Sequence, residues 1–167
     1  MRTRLLALAA LLVVACDSKR ATSPTATPEP STTPVAKAGF VVLDVAPTAG
    51  PDLGSVVRAE AAKAKAQGLK PFVEFAAGWC EPCQAIKKSL DDPKMKAAFE
   101  GTYIIRLDAD AWGERLAGSG FAVRSIPVFY QLDGEGKPTG RTIDGGAWAE
   151  NVPVNMAPPL DKFFHGT

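Results

Sequence analysis

The chain has 167 residues, 19 Lys and Arg against 18 Asp and Glu, a formal net charge of +1, and 46% hydrophobic residues. This length allows one compact domain after a leader. The balanced charge gives no electrostatic footprint for nucleic acid, so no nucleic-acid partner is expected. There are three cysteines, an odd number, and each needs an assignment.

Arg2 and Arg4 precede the apolar run Leu5–Ala15, which is too short to cross a bilayer as a helix and has the order of a signal segment. Without residues 1–15 the formal net charge becomes −1, because only those two arginines are lost. Val13-Val14-Ala15-Cys16 resembles the lipobox of bacterial lipoproteins. That resemblance implies cleavage before Cys16, lipidation of Cys16, and a chain anchored to a membrane of the bacterial cell envelope, facing the periplasm or another extracytoplasmic space. A plain secretory signal with an incidental cysteine is the alternative. Asp17 resembles the inner-membrane retention residue of enterobacterial lipoproteins. Asp17–Ala38 is rich in Thr, Pro, Ala and Ser and reads as a tether, about 25 Å across as a coil and up to about 70 Å as polyproline. The expected division is a signal peptide over 1–15, a lipidated cysteine and linker over 16–38, and a folded domain over 39–167.

Within the domain, Gly39–Ala46 reads as a first strand and Pro47–Pro51 as a turn. Asp52–Gln67 reads as a helix with Leu53, Val57, Ala61 and Ala64 on one face, and Gly68 as its cap. The strand Pro71–Ala76 leads into a helix opening on Cys80 and Cys83, where Ile86 and Leu90 face the core. Asp92-Pro93 starts a second helical piece through Phe99. Tyr103–Leu107 is a third strand, followed by a helix over Ala111–Gly118. Val128–Leu132 and Thr139–Ile143 form a hairpin around Asp133–Gly136. A last helix is expected over Pro158–Phe164. The order β-α-β-α-β-α-β-β-α argues for an α/β sandwich with a mixed sheet. Ala147–Pro159 is either a recognition insert or a padded connection.

Trp79-Cys80-Glu81-Pro82-Cys83 carries the chemistry. Pro82 suits a first helical turn, which places Cys80 at the helix N-terminus and Cys83 one turn on. The free N–H groups there favour a thiolate, so Cys80 is the expected nucleophile and Cys83 the resolving thiol. A structural disulfide or half a metal site is the alternative. A zinc site needs about four ligands, and His165, the only histidine, lies in the tail. No metal or other cofactor is expected. Glu74 lies on an otherwise apolar strand. Burial would raise its pKa, which suits a proton acceptor for Cys83, unless the side chain reaches solvent. Glu81 lies between the cysteines, and its charge opposes thiolate formation at Cys80, which lowers the reduction potential. Trp112 and Trp148 read as core or rim aromatics, and His165 as a solvated tail residue.

From about Phe40 onward these residues resemble thioredoxin. Trp79–Cys83 is similar to that family's WCxPC centre, Ser125-Ile126-Pro127 resembles its cis-proline loop, and Gly145-Gly146 follows the final hairpin. The resemblance implies a three-layer sandwich with a mixed central sheet flanked by helices. It implies a cis bond before Pro127, with the Ile126 backbone beside the cysteines where a peptide pairs as an added strand. Trp79, Ile126 and Pro127 would meet the substrate, a disulfide-containing protein. Glu74 stands where thioredoxin carries aspartate, and Val128 where threonine is usual. Glu74–Cys83 with Lys88–Pro93 looks most like the periplasmic C-terminal domain of the transmembrane thiol reductant transporter. The CEPC centre also resembles membrane-anchored thioredoxins of cytochrome c maturation. Either likeness implies a membrane electron donor, since the chain has no NADPH or flavin signature. A non-catalytic thioredoxin-like binding module is a different class of reading, and the two cysteines argue against it.

Overall fold

The computed structural model describes residues 39–166; the expected signal segment, Cys16 and the linker lie outside the described residues. The elements run β1 (Val41–Val45), α1 (Leu53–Ala66), β2 (Lys70–Ala76), α2 (Glu81–Ser89), α3 (Pro93–Phe99), β3 (Thr102–Asp108), α4 (Ala109–Trp112), β4 (Val128–Leu132), β5 (Pro138–Asp144) and α5 (Pro153–His165). The sheet order is β1-β3-β2-β4-β5. β1 and β2 run parallel to β3, while β4 and β5 are antiparallel, so the sheet is mixed as expected.

Apart from the Glu74–Arg106 pair, the central strands β2 and β3 are largely apolar on both faces because both faces are covered. Alternation sends Val73, Phe75, Ile105 and Leu107 to one side, against Leu53, Val57, Ala61 and Ala64 of α1. Phe72 and Ile104 go to the other side, against Ile86 of α2, Phe99 of α3 and Phe164 of α5. The Phe164 ring meets Phe72, Phe99 and Phe129 edge-on, with centroids 4.9, 5.0 and 5.5 Å apart. The result is the three-layer α/β sandwich. Asp52 caps α1 by accepting from the Ser55 N–H at 2.8 Å, and Gly68 takes the left-handed turn after it at φ 72°.

Two helices differ from expectation. In place of a helix over Ala111–Gly118, α4 starts at Ala109 and is followed by a 3-10 turn over Gly113–Arg115. Asp108 sets the earlier start by accepting from the Asp110 and Ala111 N–H groups at 3.0 and 2.9 Å. Gly113 and Gly118 then supply no helical preference to continue it. At the C-terminus α5 begins at Pro153 rather than Pro158, and Pro158 and Pro159 lie inside it. A proline pair normally ends a helix. Here Met156, Ala157, Leu160, Phe163 and Phe164 are all buried, and that apolar face holds the segment helical across the missing N–H groups. Ala147–Pro159 is therefore mostly the first half of α5. His165 is exposed, as read from the sequence, and it ends α5. Its ring nitrogens lie 2.9 Å from Asp161 Oδ1 and 2.8 Å from the Glu100 carbonyl, tying the end of α5 to the end of α3.

Candidate active site

The site sits where β2 hands the chain to α2. Gly78 and Trp79 make the turn, which Gln84 closes by donating to the Gly78 carbonyl at 3.1 Å. Cys80 has extended backbone angles and is the N-cap of α2, with Glu81 and Pro82 in the first turn. Its sulfur accepts from the Cys83 N–H at 3.3 Å. The two cysteines form a disulfide with their Cα atoms 5.3 Å apart, the separation expected across one helical turn. Sequence reasoning places Cys80 where a substrate can meet it. In this oxidised state it is 3% exposed and Cys83 4%, so a partner must seat closely to reach either sulfur.

Three elements surround the pair. Trp79 is 71% exposed, and its indole N–H donates to Asp110 at 2.7 Å. The Ile126–Pro127 bond is cis, and Ile126 packs against the buried cluster that Ala76 and Ala77 form with the two cysteines. The Gly145 N–H donates to the Pro127 carbonyl at 3.1 Å, and the Ser125 hydroxyl lies 3.0 Å from Asp144 Oδ2. A Cβ on Gly145 would sit 3.3 Å from Pro127 Cδ, which gives a glycine there a packing reason.

Glu74 is fully buried, so the solvent-reaching alternative does not hold. The parallel register sets Asp44, Arg106 and Glu74 in one row across β1, β3 and β2. Arg106 Nε donates to Glu74 Oε2 at 2.7 Å, and its Nη1 lies 3.8 Å from Asp44 Oδ1. Lys87 of α2 reaches Asp44 at 3.4 Å. Burial pushes the Glu74 carboxyl above the usual carboxylate range, and the Arg106 guanidinium pulls it back only in part. Glu74 Oε1 and Arg106 Nη2 have no hydrogen-bond partner among the described residues. A cavity of about 150 Å³ opens beside Arg106, lined also by Cys83, Asp108, Asp44 and Lys87 among others. It touches the resolving cysteine rather than the substrate-facing side of Cys80.

Arg106, Asp110 and Asn151 escaped the sequence reading. Arg106 left a usable signal: it is the fourth residue of the expected strand Tyr103–Leu107, as Glu74 is of Pro71–Ala76. Opposite charges at the same offset in two apolar parallel strands are a pairing pattern. Asp110 lies in the single-turn helix α4 and Asn151 in the turn before α5, and neither left a signal. Trp112 is the expected core aromatic and donates to the Val45 carbonyl at 2.9 Å. Among the described residues no group of three or more His, Cys, Asp and Glu side chains is placed to hold a metal ion, and no helix is long and apolar enough to cross a membrane.

Residues 59–153 match the thioredoxin family model. The chain belongs to the thioredoxin family. Among solved structures it is similar to a disulphide isomerase from Xylella fastidiosa Temecula1, at 22% identity over 74% of this chain and 96% of that one, TM-score 0.45. It is also similar to a Trichomonas vaginalis thioredoxin, at 24% identity over 62% of this chain and 84% of that one, TM-score 0.40. No curated protein matches the chain. The thioredoxin domain and its Cys80–Cys83 disulfide make the protein a thiol–disulfide oxidoreductase acting on disulfide-containing protein substrates.

Proposed function

We propose that this thioredoxin-family protein is a membrane-tethered, extracytoplasmic reductant. The observation that carries the direction is Glu81 at the first position of α2, directly after the Cys80 N-cap. The helix terminus favours the Cys80 thiolate. A carboxylate beside it works against that stabilisation, and a less stabilised thiolate makes a stronger reductant. The tether rests on Arg2, Arg4, the run Leu5–Ala15 and the lipobox-like Val13–Cys16.

In the cycle, the Cys80 thiolate attacks one sulfur of a partner disulfide and the partner's other sulfur leaves as a thiolate. Cys83 gives its proton to Glu74, whose Oε1 is without a partner among the described residues, and attacks the Cys80 sulfur. The Cys80–Cys83 disulfide forms, and the second partner thiol is released after taking up a proton. Two electrons pass to the partner, and a membrane dithiol donor of the thiol reductant transporter type returns them. Trp79 and the Ile126-Pro127 backbone hold the partner segment close to sulfurs that are otherwise covered. Service to apocytochrome c maturation is a narrower form of the same reading, supported by the CEPC centre.

The test is the potential of the Cys80–Cys83 couple, read by equilibration with glutathione. A value near or below about −250 mV is expected. A value above roughly −150 mV would make the protein an oxidase or isomerase for secreted proteins instead. In cells, Cys83→Ser should accumulate mixed disulfides with substrates, and Cys16→Ala should abolish fatty-acid labelling.

A further inference from the structure

A second polar contact reaches the CEPC turn from the connection that leads into α5. The Asn151 side-chain amide donates to Glu81 Oε2 at 2.8 Å, across 70 positions of sequence. The same amide accepts from the Trp148 indole N–H at 3.0 Å. The chemistry of the neighbours settles which way the amide points. An indole N–H can only donate and a carboxylate can only accept. The group between them must offer one oxygen and one N–H, and an amide does so. Trp148 is 8% exposed and belongs to the core cluster under α5, so the chain Trp148–Asn151–Glu81 is anchored at its far end.

We propose that Asn151 is a positioning residue that fixes the Glu81 carboxylate on the first turn of α2, next in sequence to Cys80, and thereby lowers the reduction potential of the couple. The inference rests on the proposed reductant cycle and adds to it the residue that makes the Glu81 charge effective. A free glutamate on a helix's first turn would swing away from the thiolate as it formed, and water would screen the rest. A carboxylate held by an amide with a buried anchor keeps its place as the thiolate forms, so Cys80 feels more of its charge than it would from a freely swinging side chain. Asn151 is neutral and leaves that charge uncancelled, as Lys or Arg in its place would not. The segment between the final hairpin and α5, open in the sequence to reading as recognition insert or spacer, then has a redox role.

The experiment is a double-mutant cycle on the full chain, read as the equilibrium constant with glutathione and as the thiolate titration of Cys80. Asn151→Ala should raise the potential, by about threefold to tenfold in the equilibrium constant; tenfold is about 30 mV for a two-electron couple. Glu81→Gln should raise it at least as far. In the Glu81→Gln background, adding Asn151→Ala should change nothing further. Trp148→Phe, which removes only the indole donor, should give a smaller shift of the same sign. An Asn151→Ala potential equal to wild type, or a shift of the same size in both backgrounds, overturns the proposal. Should Asn151→Ala fail to fold, the Trp148→Phe shift and its loss in the Glu81→Gln background decide the matter. A wild-type potential above roughly −150 mV would instead remove the reductant reading itself.

Discussion

Replacing Arg106 by methionine isolates the buried charge on β2. Glu74 has no exposed surface, and the Arg106 side chain is 8% exposed, with Nε 2.7 Å from the carboxylate. Met keeps most of the aliphatic volume and removes the guanidinium. Taking one partner from a buried ion pair leaves the other charge uncompensated and costs about 3–5 kcal/mol. For a domain of this size that is a fall of about 10–15 °C in Tm. The pH dependence carries the sharper test. Burial raises the native pKa of Glu74 above its unfolded value. The stability tied to that group is therefore full below the ordinary glutamate pKa of about 4.3, and is lost as pH rises through the native value. Removing Arg106 takes away a cation that lowers the native pKa, so the loss extends to higher pH. The deficit of Arg106→Met relative to wild type should be near zero at pH 4 and grow as pH rises through the native pKa of wild-type Glu74, measured by urea unfolding at each pH. Adding Glu74→Met should recover most of the loss, since an apolar pair of similar volume replaces a buried ion pair at little cost. An equal deficit at pH 4 and pH 7 would trace the effect to packing rather than charge, and refute the reasoning.

Two further outcomes separate catalysis from folding. Glu74→Gln keeps the shape and the capacity to hydrogen-bond Arg106 but cannot take a proton. It should slow release of mixed disulfides roughly 10²-fold and flatten the pH dependence of that step, seen by rapid-quench trapping; an unchanged profile would remove Glu74 from the proton path. Trp79→Ala touches a ring that is 71% exposed, so stability should change by no more than about 0.5 kcal/mol. Reduction of folded protein disulfides should nevertheless fall, while reduction of a small aromatic disulfide stays near wild type. Equal loss on both substrates would mean that Trp79 supports the cysteines rather than the partner.

Local signals carried much of this protein in its sequence. Apolar runs at Pro71–Ala76 and Tyr103–Leu107, the cap Asp92, and Pro82 between two cysteines each act over a few residues, and each is found where those few residues place it. The Cys80–Cys83 pairing is of the same kind, because one helical turn alone brings the sulfurs together. The extent of α5 was not legible. Two prolines argue against a helix locally, and only burial of Phe163 and Phe164 against β2 and α3 outweighs them. The surroundings of the disulfide were decided the same way. Glu74 stood out as a charge on an apolar strand, but its ion pair needed the register of β2 on β3. Trp79 meeting Asp110, Ile126 covering the sulfurs and Asn151 reaching Glu81 join positions that are 31, 46 and 70 apart or thereabouts. Such contacts follow from how the layers close on one another, and no period or spacing along a single chain encodes them.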